Sequence, residues 1–327
     1  MYFLTKKQCA MMTKTDQSPS PLSDYPNPAR VRQLLIALEM GPADPAVLDY
    51  LSQFMDYVPV ASAYFLHVLP KIDLYSKTYR AQAEDLVNRH RLGSGILNTM
   101  QRRVAESGID QQTINVQYDL LDGDPLEALL READDLHADL LVIGQQTQKD
   151  EHGILARNLV RQATSNALII PDRARWRMRR IMVPVDFSAH SVKALHAAMA
   201  LRKQMEDNTQ VVAVNVYELP NLSVYKIQKT REELDEMLRD DRQLAFEAFL
   251  KEYLGDEADQ VERVLLQKEV PGIAHYLYDY ADQHEIDFIV MGAQGHSAVE
   301  RMFLGSVTEK MMSINDRLPT LVVKTTG

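Results

Sequence analysis

The chain repeats itself, and that fact constrains its fold more than any other feature of its 327 residues. One segment opens Arg32-Gln33-Leu34-Leu35-Ile36-Ala37-Leu38-Glu39. A second opens Arg179-Arg180-Ile181-Met182-Val183-Pro184-Val185-Asp186, placing Glu39 and Asp186 147 residues apart. Further along, HADLLVIG ends at Gly144 and EIDFIVMG ends at Gly292, 148 residues apart. Register that holds to one residue over so long a span marks duplication rather than chance. Whatever architecture the chain adopts must therefore be built twice, and the length suffices for two ordinary domains, each with its own core.

Each unit alternates strand and helix patterns. In the second, Ile181–Val185 is a short apolar strand, followed by a helix carrying Val192, Leu195 and Met199 on one face. Val211–Val216 is the next strand. A long amphipathic helix follows from about Thr230 to Leu254, its buried face expected at Leu234, Leu238, Ala245 and Phe249. Val264, Leu266 and Val270 are expected on one side of a third strand. Gly272–His284 is helical, Phe288–Met291 is strand four, Gly305–Ile314 is helical and Thr320–Lys324 is the closing strand. Such alternation predicts α/β architecture: two tandem doubly wound domains, each a five-stranded parallel sheet flanked by helices. The expected division is a flexible arm over 1–29, rich in Ser, Pro and Asp (QSPSPLSDYPNPAR), then domains over 30–172 and 178–327 joined by the short polar DRARWRM segment. Met11 and Met12 are alternative candidate initiators.

The run from Gly292 to Ser306, GAQGHSAVERMFLGS, holds Gly-x2-Gly-x9-Gly-Ser directly after the apolar Phe288–Met291 strand. Glycines let a backbone approach an anion closely, and a helix start presents unpaired N–H groups at the positive end of a dipole. A strand, a glycine loop and a helix start in succession therefore point to phosphate, and to a nucleotide as its carrier. In a doubly wound sheet the ligand sits beyond the strand carboxyl ends, where the loop after strand one, with Pro184, Val185 and Asp186, meets the loop beginning at Gly292. Asp186 could accept hydrogen bonds from a ribose or a base, or cap the turn that follows it. Ser306 and Glu309 spell Ser-x-x-Glu, a capping box, which would occupy the Ser306 hydroxyl. The loop has no lysine, and neither the Gly-Lys-Ser/Thr ending of a Walker A loop nor a G-x-G-x-x-G fingerprint occurs in the chain. Backbone amides, with a divalent ion supplying positive charge, would carry the binding.

Composition narrows the function classes. With 36 basic against 46 acidic residues the formal charge is −10, which argues against non-specific nucleic-acid binding and against an anionic membrane surface. One cysteine, Cys9, excludes an intrachain disulfide framework and fits a reducing cytoplasm. The apolar runs are too short to span a bilayer. His190, His275 and His284 are scattered, and no spacing suggests a catalytic metal.

The second unit resembles a universal stress protein domain of the ATP-binding type. The likeness spans roughly residues 178–325: VPVDFS, VVAVNVYE, EVPGIA, IVMGAQG, the whole glycine motif and the closing TLVVK. The full chain resembles the tandem, two-domain members of that family. The resemblance implies an adenine nucleotide alpha hydrolase-like, Rossmann-like fold and ATP with Mg or Mn as ligand. It places Pro184, Val185 and Asp186 around adenine and ribose, and Val216 against adenine. Met291 and Gly292 fall under the ribose and phosphates, and Gly295, Gly305, Ser306, Val307 and Thr308 at the phosphates. Val216 and Met291 are equally read as ordinary core.

The first unit departs from this pattern. Glu39 stands for Asp186, Thr147 for Gly295, and Arg157 and Asn158 for Gly305 and Ser306, with Asn158 expected to cap the helix. Bulkier side chains should keep that unit from holding ATP in the same way, leaving it a structural partner or the holder of another ligand. No base, nucleophile and stabiliser converge on a phosphate in the sequence. The expected function is an ATP-binding regulatory protein of the stress response, acting with a protein partner; a weak ATPase or phosphotransferase is the alternative, and a nucleotide-free scaffold a third reading. Single-domain relatives pair through their last strands, so Ala167–Pro171 and Pro319–Lys324 are expected to pair within the chain as a pseudo-dimer.

Overall fold

The computed structural model describes residues 30–70, 89–146, 150–205, 209–218, 230–295 and 304–324. The expected arm and the positions Thr147, His296 and Arg301 lie outside them. The first half runs β1 (Val31–Ala37), α1 (Asp44–Tyr57), β2 (Val60–Pro70), α2 (Arg89–Glu106), β3 (Asn115–Gly123), α3 (Pro125–Asp135), β4 (Leu140–Gln145), α4 (Asp150–Gln162) and β5 (Asn166–Pro171). The second runs β6 (Arg180–Pro184), α5 (Ala189–Gln204), β7 (Gln210–Glu218), α6 (Arg231–Leu254), β8 (Val261–Lys268), α7 (Ile273–Gln283), β9 (Phe288–Gly292), α8 (Ser306–Ile314) and β10 (Thr320–Val323).

The ten strands form one sheet in the order β3-β2-β1-β4-β5-β10-β9-β6-β7-β8. Neighbours are parallel throughout except at the centre, where β5 and β10 run antiparallel with Leu168 opposite Leu321. The strand pairing expected for the two closing segments is thus observed, and it turns two five-stranded parallel sheets into one. The central strands are apolar on both faces because helices cover both. In β4 and β9, Leu140–Ile143 and Phe288–Met291 are buried without interruption. Alternate residues serve two separate cores: Leu34, Ile36 and Phe65 belong to one, Leu35 and Leu66 to the other.

The duplication extends to individual hydrogen bonds. Asp139 accepts from the backbone N–H groups of Arg32 and Gln33 at 2.8 and 3.0 Å, and Asp287 accepts from those of Arg179 and Arg180 at 2.9 and 3.2 Å. Each aspartate enters its fourth strand and fastens the first. Likewise the His67 ring bonds the Leu38 carbonyl at 2.7 Å, and the Asn215 amide donates to the Val185 carbonyl at 2.7 Å.

Three local expectations are corrected. Helix α6 opens with the Thr230/Glu233 capping box, but its buried face carries Phe246 and Leu250 beside Leu234 and Phe249, while Ala245 is exposed. Phe187 sets this rotation by packing edge-on against both Phe246 and Phe249. Strand β8 ends at Lys268, and Val270 is 61% exposed in the turn before α7. Asn158 caps nothing: α4 starts at Asp150, so Asn158 and Arg157 lie inside the helix.

Candidate functional site

Beyond the carboxyl ends of β6, β7 and β9 lies a cavity of about 270 Å³. All eleven residues singled out from the sequence line it: Pro184, Val185, Asp186, Val216, Met291, Gly292, Gly295, Gly305, Ser306, Val307 and Thr308. Ser191, Val214, Asn215, Ile273, Leu277 and Gln294 complete the wall. Val185, Val214 and Val216, with Met291 and the apolar residues of α7, make one part of the lining apolar; glycines and the start of α8 make the other polar.

Strand β6 delivers Asp186 to the rim, and the next residues fix it there. Phe187 adopts φ +62°, turning the chain sharply into α5. One Asp186 carboxylate oxygen accepts from the Ser188 N–H at 3.1 Å, the Ser188 hydroxyl at 2.5 Å and the Ser191 hydroxyl at 2.6 Å. Ser191 in turn accepts from the Asp186 N–H at 2.9 Å. One oxygen thus organises the turn, while the other lies toward Gly295, where an added Cβ would stand 2.5 Å from it.

Helix α8 presents an open N-terminus. Its N-cap is Gly305, and no side chain caps it. Ser306 is the first helical residue, so the expected capping box does not form; the Glu309 carboxylate instead meets Arg161 of the first half at 2.5 Å. The first intrahelical bond runs from the Glu309 N–H to the Gly305 carbonyl at 2.9 Å, so the amides of Ser306, Val307 and Thr308 precede it. Helices α5, α6 and α3 are capped by Ser188, Thr230 and Asp124, whereas α1 and α7, like α8, have no side-chain cap. The Thr308 hydroxyl donates to the Gly292 carbonyl at 2.9 Å, holding α8 to the end of β9. Gly305 sits tightly too, since a Cβ there would lie 3.3 Å from Gln294 Cα and 3.4 Å from the Ala293 carbonyl oxygen. Backbone amides, a bare helix start and glycines without room for side chains form a cradle that suits phosphoryl oxygens.

Asn215 is buried at 3% exposure, and its side-chain oxygen has no hydrogen-bond partner among the described residues. His190 lies against Gly292 on the α5 side. Burial lowers its pKa below the ordinary histidine value, the Lys193 charge adds to that, and Asp186 opposes it. Among the described residues no group of three or more His, Cys, Asp and Glu is placed to hold a metal ion, and no helix is long and apolar enough to cross a membrane.

In the first half, side chains bond to one another across the corresponding place. The Gln146 amide donates to the Glu39 carboxylate at 2.8 Å, bridging the two loops. Asp44 occupies the position of Ser191 and is paired with Arg103 at 2.8 Å; Arg103 also donates to the Gly41 carbonyl at 3.0 Å. Burial pushes the Asp44 carboxyl above its usual pKa, with the Arg103 charge pulling the other way.

The residues missed from the sequence were missed for definite reasons. Ser191 had a readable signal, as the partner of the Ser188 N-cap three residues earlier. Ile273 and Leu277 fall within the expected Gly272–His284 helix, and only the tertiary placement of α7 brings them to the cavity.

Comparison with known proteins places the fold. Residues 178–324 match the model of the universal stress protein family. Universal stress protein MJ0531 of Methanocaldococcus jannaschii is 28% identical over 146 residues, 45% of this chain and 82% of that protein. Universal stress protein YxiE of Bacillus subtilis is 26% identical over 151 residues, 44% of this chain and 98% of that protein. Among solved structures, a universal stress protein from Archaeoglobus fulgidus superposes with a TM-score of 0.63 at 16% identity, covering 92% of this chain and 99% of that one. A protein of unknown function from Pseudomonas aeruginosa gives 0.59 at 14% identity, covering 90% and 93%. At these identities the structural likeness is one of fold, and it extends over both halves.

Proposed function

We propose that this chain is an ATP-binding regulatory protein of the universal stress protein family, with the nucleotide held by its second half. The observation that carries the reading is the uncapped start of α8, whose Ser306, Val307 and Thr308 amides open onto a cavity that also contains Asp186, Gly292, Gly295 and Gly305. The apolar wall of Val185, Val214, Val216, Ile273, Leu277 and Met291 suits a base, Asp186 suits a ribose, and the glycine cradle suits a polyphosphate. A Mg or Mn ion would travel with the triphosphate and offset its charge, since no lysine lines the cradle.

Binding, rather than turnover, is the reading the side chains support. The Asp186 oxygen nearest the serines already accepts three hydrogen bonds, and the Thr308 hydroxyl is given to a carbonyl. Neither is arranged to activate a water or act as a nucleophile. Occupancy would alter the surface offered to a partner beside the site. The first half, with its Glu39–Gln146 bridge, acts as the structural partner. Titration calorimetry of the full chain with Mg-ATP is the test: one site per chain with negligible phosphate release is expected. No heat at millimolar ATP, or steady ADP release abolished together with binding by Gly305→Arg, would overturn it.

A further inference from the structure

Helix α8 is gripped from the first half at two levels. Near its start, the Arg161 guanidinium meets the Glu309 carboxylate at 2.5 Å. Near its end, the buried Gln145 amide donates to the Met312 carbonyl at 3.1 Å. Arg161 is itself fixed by the second half: the Lys324 ammonium donates to the carbonyls of Val160 and Arg161 at the end of α4, and the Lys324 N–H donates to Asn166 at 2.9 Å. Arg161, near the end of α4, and Glu309, in the first turn of α8, face each other across the β5–β10 seam.

We propose that Arg161 of the first half is a positioning residue for the phosphate subsite of the second, acting through Glu309. The inference rests on the nucleotide reading above. Glu309 lies in the first turn of α8, three residues beyond Ser306. A carboxylate there favours the helix dipole when the site is empty but opposes an anion arriving at the same turn. Arg161 cancels that charge and holds its side chain out of the cavity, which Glu309 does not line. The half that lacks a glycine cradle thereby sets the electrostatics of the half that has one.

The full-length chain tests this with Arg161→Ala, Glu309→Gln and the double variant, titrated with Mg-ATP and separately with adenosine. Arg161→Ala should weaken ATP about fivefold and leave adenosine unchanged, because only the phosphates approach α8. In the Glu309→Gln background the same change should alter ATP affinity by less than about twofold, the non-additivity expected of a coupled pair. Unchanged ATP affinity in a folded Arg161→Ala protein would overturn the proposal. Equal losses for ATP and adenosine would also overturn it, since a general loosening of the seam predicts that result. A wild-type chain that binds adenosine but not ATP, or neither, would overturn the nucleotide reading and this proposal with it.

Discussion

Gly292 lies against His190 so closely that a Cβ on the glycine would stand 2.8 Å from the histidine Cβ and 3.0 Å from its carbonyl oxygen. Gly144 has the same relationship to Val47, with 3.0 Å to one methyl group. The glycine that ends the fourth strand is therefore present in both halves because the first helix packs onto it, whether or not a ligand binds. Gly292→Ala should destabilise the protein by about 1–3 kcal/mol, since backbone must move. Gly144→Ala should cost less, because Val47 can shift its side chain. Urea denaturation of the two variants checks the order.

Gly295 makes the opposite prediction. The atom an alanine Cβ would meet is the Asp186 carboxylate oxygen at 2.5 Å, the end of a side chain at the rim. Gly295→Ala should displace that carboxylate and weaken ATP by about tenfold or more, an order-of-magnitude effect of one lost charge-assisted contact, with little change in melting temperature. Calorimetry and a thermal melt on one preparation separate the two effects. A large loss of stability without loss of affinity would contradict the site assignment.

Much of this was legible in the sequence, for a physical reason. Gly292, Gly295 and Gly305 are needed for close approach, and close approach leaves a signature in residue type and spacing. All eleven candidate residues reached one cavity because the duplicated strand pattern fixed which loops meet. What the sequence pattern misjudged was local hydrogen bonding. Ser306-x-x-Glu309 reads as a capping box, but Glu309 found a stronger partner in Arg161, 148 residues away. Asn158 reads as a cap, but α4 starts eight residues earlier. Ala245 and Phe246 compete for one face of α6, and Phe187 from another element decides it. Tertiary partners settle such choices, and periodicity does not encode them.

Arg103 should matter more to stability than a surface arginine would. It pairs with Asp44, whose side chain is 6% exposed, and also bonds the Gly41 carbonyl. Arg103→Ala would leave a buried carboxylate without its cation and should cost about 2–4 kcal/mol. The Asp44 carboxyl, already raised by burial, should rise further, as carboxyl titration followed by NMR would reveal.

Lys324 gives a pH dependence of definite sign. Burial lowers its pKa to about 8, below the 10.5 of an unhindered lysine. Between those values the unfolded chain holds the proton that the folded chain has released, so this group makes stability rise as pH increases through that window. Below about pH 8 both states carry the charge, and the contribution is flat. Comparing denaturation midpoints of wild type and Lys324→Met from pH 7 to 10 should show the slope difference only at the alkaline end.

The antiparallel meeting of Leu168 and Leu321 has a kinetic consequence. A contact between separate subunits falls apart on dilution, whereas one closed by a covalent tether forms at a rate independent of protein concentration. Wherever the cell makes only a few copies of this chain, each molecule still arrives with its partner attached, and the Arg161–Glu309 contact is made at any abundance.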